Sequence, residues 1–89
     1  MNLDTKLNVP QQVMSRLVGD ETVLLDLASG LYFGLDGVGK LIWESVSEGH
    51  DLAAAVKSVV AEYDVDEGQA EADVLDFAAT LVKRGLLVE

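Results

Sequence analysis

With 89 residues, 49% of them apolar, the chain holds material for one small domain with one modest core, in which a buried catalytic cleft is a tight fit and a binding module is the better expectation. Sixteen acidic residues against six basic ones give a formal charge of −10, which opposes contact with nucleic acid or anionic lipid; the acid either favours a cationic partner or only keeps a small protein in solution. The absence of cysteine excludes disulfides, thiol catalysis and Cys-ligated metals. Residues 1 to 10, MNLDTKLNVP, lack a charged start followed by an apolar run, and set Leu3, Leu7 and Val9 among polar neighbours, as a weak edge strand or an ordered arm. No later stretch approaches the ~20 apolar residues that span a bilayer, so a soluble, cytoplasmic protein is expected.

Val13 to Val18 reads as a short strand, since Val13 and Leu17 alternate with Met14 and Arg16, and Gly19-Asp20 turns the chain. Thr22 to Asp36 then reads as a β-hairpin delivered into a helix. Val23, Leu25 and Leu27 alternate with Leu24 and Asp26 on one arm, and Leu31, Phe33 and Leu35 with Tyr32 and Gly34 on the other. Ala28-Ser29-Gly30 makes a tight connection, with Gly30 free to take positive φ. Unless a later segment covers it, the second arm is an available sheet edge. Asp36 can cap the helix that follows, roughly Gly37 to Ser47, whose apolar positions Val38, Leu41, Ile42 and Val46 leave Trp43 off the main stripe. A second helix, roughly Leu52 to Tyr63 behind an Asp51 cap, carries the stripe Leu52, Val56, Val59, Val60 and Tyr63.

The third helix begins at Asp66, where Gln69 stands at the spacing for reciprocal capping, and stops at Gly85 after Lys83-Arg84; Leu86-Leu87-Val88 then returns as a strand or packs down. At about 100° per residue, Ala70, Val74, Phe77, Ala78 and Leu81 form one apolar stripe and Ala72, Leu75, Ala79 and Val82 a second. Either this is the central, most buried helix of a tiny domain, or the first stripe closes the core while the second, with its alanines, lines a groove for another chain.

Chemistry is missing. His50 stands alone in an interhelix turn, with no second ligand for a metal. Glu67, Glu71, Asp73 and Asp76 crowd the start of the third helix, where the dipole favours acid and water reaches it; a basic partner would be drawn there. Gly37-Val38-Gly39-Lys40 lacks the upstream glycine and the following Ser or Thr of a phosphate loop. No cofactor and no catalytic group is implied.

Taken in order, V-L-L-D-L, S-G-L-Y-F-G-L-D, G-V-G-K-L-I-W-E, a small acidic second helix and V-L-D-F-A-A-T-L-V-K-R-G-L-L resemble the PqqD-like family, the RiPP recognition elements, and in particular the free-standing members that serve lasso-peptide biosynthesis. The likeness covers Val13 to Val88. It implies an α+β fold, a winged helix-turn-helix with a small three-stranded antiparallel sheet packed on three helices, making residues 1–89 a single recognition domain. It further implies a non-catalytic protein that binds the leader of a ribosomally made precursor and presents it to a leader peptidase and a cyclase. In such proteins the leader adds to the third strand and lies in the cleft against the third helix. Carried over, the binding residues are Leu31, Tyr32, Phe33, Gly34 and Leu35 on the strand, with Ala72, Asp73, Leu75, Asp76, Ala79 and Val82 on the helix. One departure is Asp36, where relatives often have Asn. A winged-helix DNA-binding regulator shares the architecture but needs Lys and Arg along its third helix, and here they stand only at its end. A carrier protein needs a modified serine in a D-S-L setting, which none of Ser15, Ser29, Ser45, Ser47 or Ser58 has. A purely structural subunit would use the second stripe as an interface.

Overall fold

The hairpin expected at the centre of the chain is built from the turn outward. In the computed structural model, which describes residues 1–89, the Asp26 carboxylate accepts hydrogen bonds from the Ala28 N–H (3.0 Å) and the Ser29 hydroxyl (3.1 Å). Gly30, at φ 76°, donates its N–H to the Asp26 carbonyl (2.8 Å), so one aspartate and one left-handed glycine reverse the chain. The flanking strands belong to an antiparallel sheet of β1 (Val13–Val18), β2 (Glu21–Asp26) and β3 (Tyr32–Leu35), ordered β1-β2-β3.

Register selects the buried face. Leu24 pairs with Phe33, Thr22 with Leu35 and Ser15 with Leu24, so these residues share the side that meets the helices. Leu24 is wholly buried, while Val23 and Leu25, on the opposite side, are half-buried and Met14 and Tyr32 are exposed. Both sides of β2 are apolar, which is why its alternation does not by itself pick the inner one.

Three helices cover the inner side: α1 (Gly37–Ser47), α2 (Leu52–Tyr63) and α3 (Glu67–Lys83). The Asp51 carboxylate accepts from the Ala54 N–H (3.0 Å) and caps α2 as the sequence indicates. Asp66 caps α3 through the Gln69 N–H (3.2 Å), but the expected return bond is not made, because Gln69 Nε2 donates forward to Asp73 Oδ1 (2.9 Å). Asp36 occupies the N-cap position of α1 without a side-chain capping bond. Trp43, expected off the stripe, is buried with Ile42 and Val46, whereas Tyr63 at the end of α2 is exposed.

Seventeen buried apolar residues form one cluster that includes Leu24 and Leu35 of the sheet, Leu52, Val56 and Val59 of α2, and Ala70, Val74, Ala78 and Leu81 of α3. The amino-terminal segment is the ordered arm. Leu7 is buried, the Leu52 and Ala53 N–H groups donate to the Thr5 and Leu3 carbonyls, and Asn8 exchanges backbone bonds with Val88 (2.7 and 2.9 Å). Leu86 and Leu87 pack into the core beside that single bridge rather than forming a strand.

Candidate peptide-binding site

One edge of β3 is bonded to β2 and the other is bare. The Asp26 N–H donates to the Leu31 carbonyl (2.9 Å), so by antiparallel alternation Leu31, Phe33 and Leu35 turn their backbone groups toward β2. Tyr32 and Gly34 are then the residues whose N–H and C=O point outward along the edge. The Leu31 N–H is also engaged, donating to Ser29 Oγ (3.2 Å), which confines the strand to Tyr32–Leu35 and leaves Leu31 in the turn.

Beside this edge lies a cleft of about 520 Å³ walled by β3, α1 and α3. Its floor is apolar, formed by Leu35, Val38, Ile42 and Phe77; its rim is acidic, formed by Asp36, Asp73 and Asp76, with Thr80 and Gly34 completing the wall. Phe77 can lie flat here because of Gly39. A Cβ on Gly39 would stand 3.1 and 3.2 Å from Phe77 Cε1 and Cζ, so the absent side chain is what lets the ring settle against α1. Toward the other end of β3, the Arg84 guanidinium sits 5.4 Å above the Phe33 ring, a cation–π contact that joins the end of α3 to the strand.

Of the strand residues expected to bind, Gly34 and Leu35 line the cleft, Phe33 lies half-buried under Arg84, Tyr32 is exposed on the outer side of the sheet, and Leu31 is exposed beyond the strand. On the helix, Asp73 and Asp76 line the cleft, but Ala72, Leu75, Ala79 and Val82 do not. Leu75 and Val82 are half-buried against the core on the other flank of α3, and Ala72 and Ala79 face solvent. Phe77, placed with the core by its stripe, packs half-buried against the core cluster and also lines the cleft. Ala70, Val74, Ala78 and Leu81 are the deeply buried residues, and the groove lies on the Asp73, Asp76, Phe77 and Thr80 side of them rather than on the apolar side. The signal in the sequence was Phe77 itself, a large ring among acids at i−4 and i−1.

No group of His, Asp and Glu side chains is arranged to hold a metal ion, and no helix is long and apolar enough to cross a membrane.

The family described as Coenzyme PQQ synthesis protein D (PqqD) matches residues 21–87. Among solved structures, "TbiB1 in Complex with the TbiA(beta) Leader Peptide" is 41% identical, with a TM-score of 0.85 over 90% of this chain and 93% of that one. "Lasso peptide synthetase B1 complexed with the leader peptide" is 25% identical, with a TM-score of 0.88 over 96% of this chain and all of that one. Comparison with curated proteins gives no match. The matched span runs from the second strand through the third helix to Leu87, so it contains all three walls of the cleft, and the chain belongs to the PqqD family.

Proposed function

We propose that residues 1–89 form a single leader-recognition domain, without catalysis of its own, that binds the leader of a ribosomally made precursor, a lasso-peptide precursor in particular, as a fourth strand along β3. The observation that carries this reading is the bare edge at Tyr32 and Gly34 directly beside an apolar-floored cleft. An added strand would take its register from the free N–H and C=O groups and its selectivity from side chains seated in the cleft, every second one facing in. The site on this reading comprises Tyr32, Phe33, Gly34 and Leu35 with Asp36, Val38, Asp73, Asp76, Phe77 and Thr80. Two structural neighbours carry leader peptides, and this supports the same class of ligand here. Delivery of the bound precursor to a leader peptidase and then to a cyclase is the corresponding role in a pathway. The acidic rim on α3 argues against a winged-helix contact with DNA, since phosphates would meet Asp73 and Asp76 where cations are required.

The test is a titration of the purified protein with the TbiA(β) leader peptide, followed by mass spectrometry of the peptide. Saturable binding at micromolar concentration or tighter, about −8 kcal/mol at 1 μM, with an unchanged peptide mass is expected. Cleavage that persists after repurification would replace binding with catalysis.

A further inference from the structure

Glu21 stands on the side of the sheet that no helix covers. It alternates with Thr22, which is buried, so it shares the outer side with Val23, Leu25 and Tyr32 and lies across the sheet from the cleft floor. Its carboxylate leans over β3 onto Gly34, where a Cβ would meet Oε2 at 3.3 Å and Oε1 at 3.8 Å. Val23 is the direct cross-strand partner of Gly34, so Glu21 arrives on the diagonal, and it fits there because Gly34 has no side chain. Gly34 is also one of the two residues whose N–H and C=O point outward along the bare edge. Basic groups on neighbouring elements are turned elsewhere. Lys40 of α1 donates to the Asp20 carbonyl (3.2 Å), and Arg16 stands on β1 at the far edge of the sheet.

We propose that Glu21 is a specificity-determining residue of the leader site: across Gly34 it reads the leader side chain that lies beside this glycine on the outer side of the sheet, favouring lysine or arginine there over aspartate or glutamate. The proposal rests on the leader-binding reading and adds a contact on the side of the bound strand that the cleft does not meet. Alternate residues of an added strand face the cleft and the others face the uncovered side, whichever way the strand runs. β2 and an added strand stand two strand spacings apart, roughly 9–10 Å, a gap that a side chain on the intervening residue of β3 would fill. Over Gly34 it is empty, so an extended glutamate from β2 and an extended lysine or arginine from the leader meet above bare backbone, their stems lying along the sheet. Tyr32, the other outward-facing residue of the edge, carries a full ring on the same side and closes the passage there, which confines the contact to one leader position. Asp73 and Asp76 take no part in it, since they lie on α3 behind the opposite side of the sheet. A leader acid at this position meets the Glu21 carboxylate instead, so the contact selects by repulsion as well as by attraction.

The experiment uses the full chain and the TbiA(β) leader peptide, substituted singly by lysine and by glutamate at each of its positions, with affinities compared at low salt. At one position lysine should bind about three- to tenfold more tightly than glutamate in a manner that depends on Glu21, the scale of one exposed ion pair set against one like-charge contact. That preference should shrink at high salt, disappear in Glu21→Gln and invert in Glu21→Lys, substitutions at an exposed position that should leave the melting transition in place. Gly34→Ala should reduce the same ratio, because the new Cβ at 3.3 Å displaces the carboxylate, and comparing two peptides on one protein cancels any general change in strand pairing. If every lysine preference survives Glu21→Gln, it belongs to the cleft rim or to net charge, and the assignment to Glu21 is overturned while leader recognition stands. A preference lost in Glu21→Gln but whole in Gly34→Ala overturns the part given to the gap at Gly34. Failure of every peptide to bind a protein with an intact melting transition overturns leader recognition itself, and the reading of Glu21 with it.

Discussion

Phe77→Ala should cost more than about 2 kcal/mol of leader affinity, the loss typical of a central anchor, whereas Ala79→Trp, two residues further along the same helix, should leave affinity unchanged. Phe77 is the largest apolar side chain lining the cleft and lies against Gly39, so truncating it removes much of the floor on which a leader side chain would rest. Ala79 faces solvent away from the cleft, and a tryptophan there meets no bound strand. Because the Phe77 ring is half-buried, its loss should lower stability by only about 1.5–2.5 kcal/mol, roughly half the effect of deleting a buried phenylalanine. Gly39→Ala provides a control that keeps the ring. The new Cβ at 3.1 Å pushes Phe77 toward the peptide's place and should weaken binding with little change in the total apolar surface. Titration paired with thermal melts separates the cases. Normal binding by Phe77→Ala together with failure of Ala79→Trp would mean that the leader uses the opposite flank of α3.

The largest effect on stability is expected from Trp43→Ala, about 3–5 kcal/mol. Trp43 is 3% exposed and borders a surface cleft with Ser15, Leu17 and Thr22, so it ties α1 to the inner side of the sheet at the β1 end, where no other large aromatic residue is buried. That loss is a large part of the ~5–15 kcal/mol that holds a domain together, and the melting temperature should fall by more than about 12 °C at ~4–8 °C per kcal/mol. A melt within a few degrees of the parent would show that the sheet is held to the helices elsewhere.

The helix limits were legible because most are marked by local chemistry: an aspartate before α2 and α3, and Gly49 and Gly85 beyond the ends of α1 and α3, whereas α2 ends at Asp64, a non-glycine residue at φ 51°. Strands β1 and β2 were legible from their short apolar runs between turns. The inner side of β2 was not, since Leu24 faces the core and Val23 and Leu25 face away, and only the cross-strand partners decide among three aliphatic residues. Trp43 looked peripheral on a helical wheel because the wheel assumes one covered side, whereas α1 meets both α2 and the sheet. Asp36 has the residue type of a cap, yet its side chain lines the cleft and makes no capping bond. For the site, apolar patterning marks α3, and its second stripe, Ala72, Leu75, Ala79 and Val82, lies outside the cleft beside β3. A peptide groove needs only a strip of apolar floor, and here α3 contributes one phenylalanine to it beside Leu35, Val38 and Ile42, while Leu75 and Val82 pack against the core on the other flank.

The central claim is that a peptide strand pairs with the free edge of β3, and amide hydrogen exchange with and without the TbiA(β) leader peptide tests it most directly. In the free protein the Tyr32 and Gly34 N–H groups face outward and should exchange quickly, while those of Phe33 and Leu35, bonded to β2, should exchange slowly. With the leader bound, Tyr32 and Gly34 should be protected at least about tenfold, as expected when one bond of roughly 1.4 kcal/mol must open before exchange. If those two amides stay unprotected at saturation while protection appears at Ser15 and Leu17, the outward groups of the opposite sheet edge, the peptide pairs with β1 and the account given for β3 is wrong.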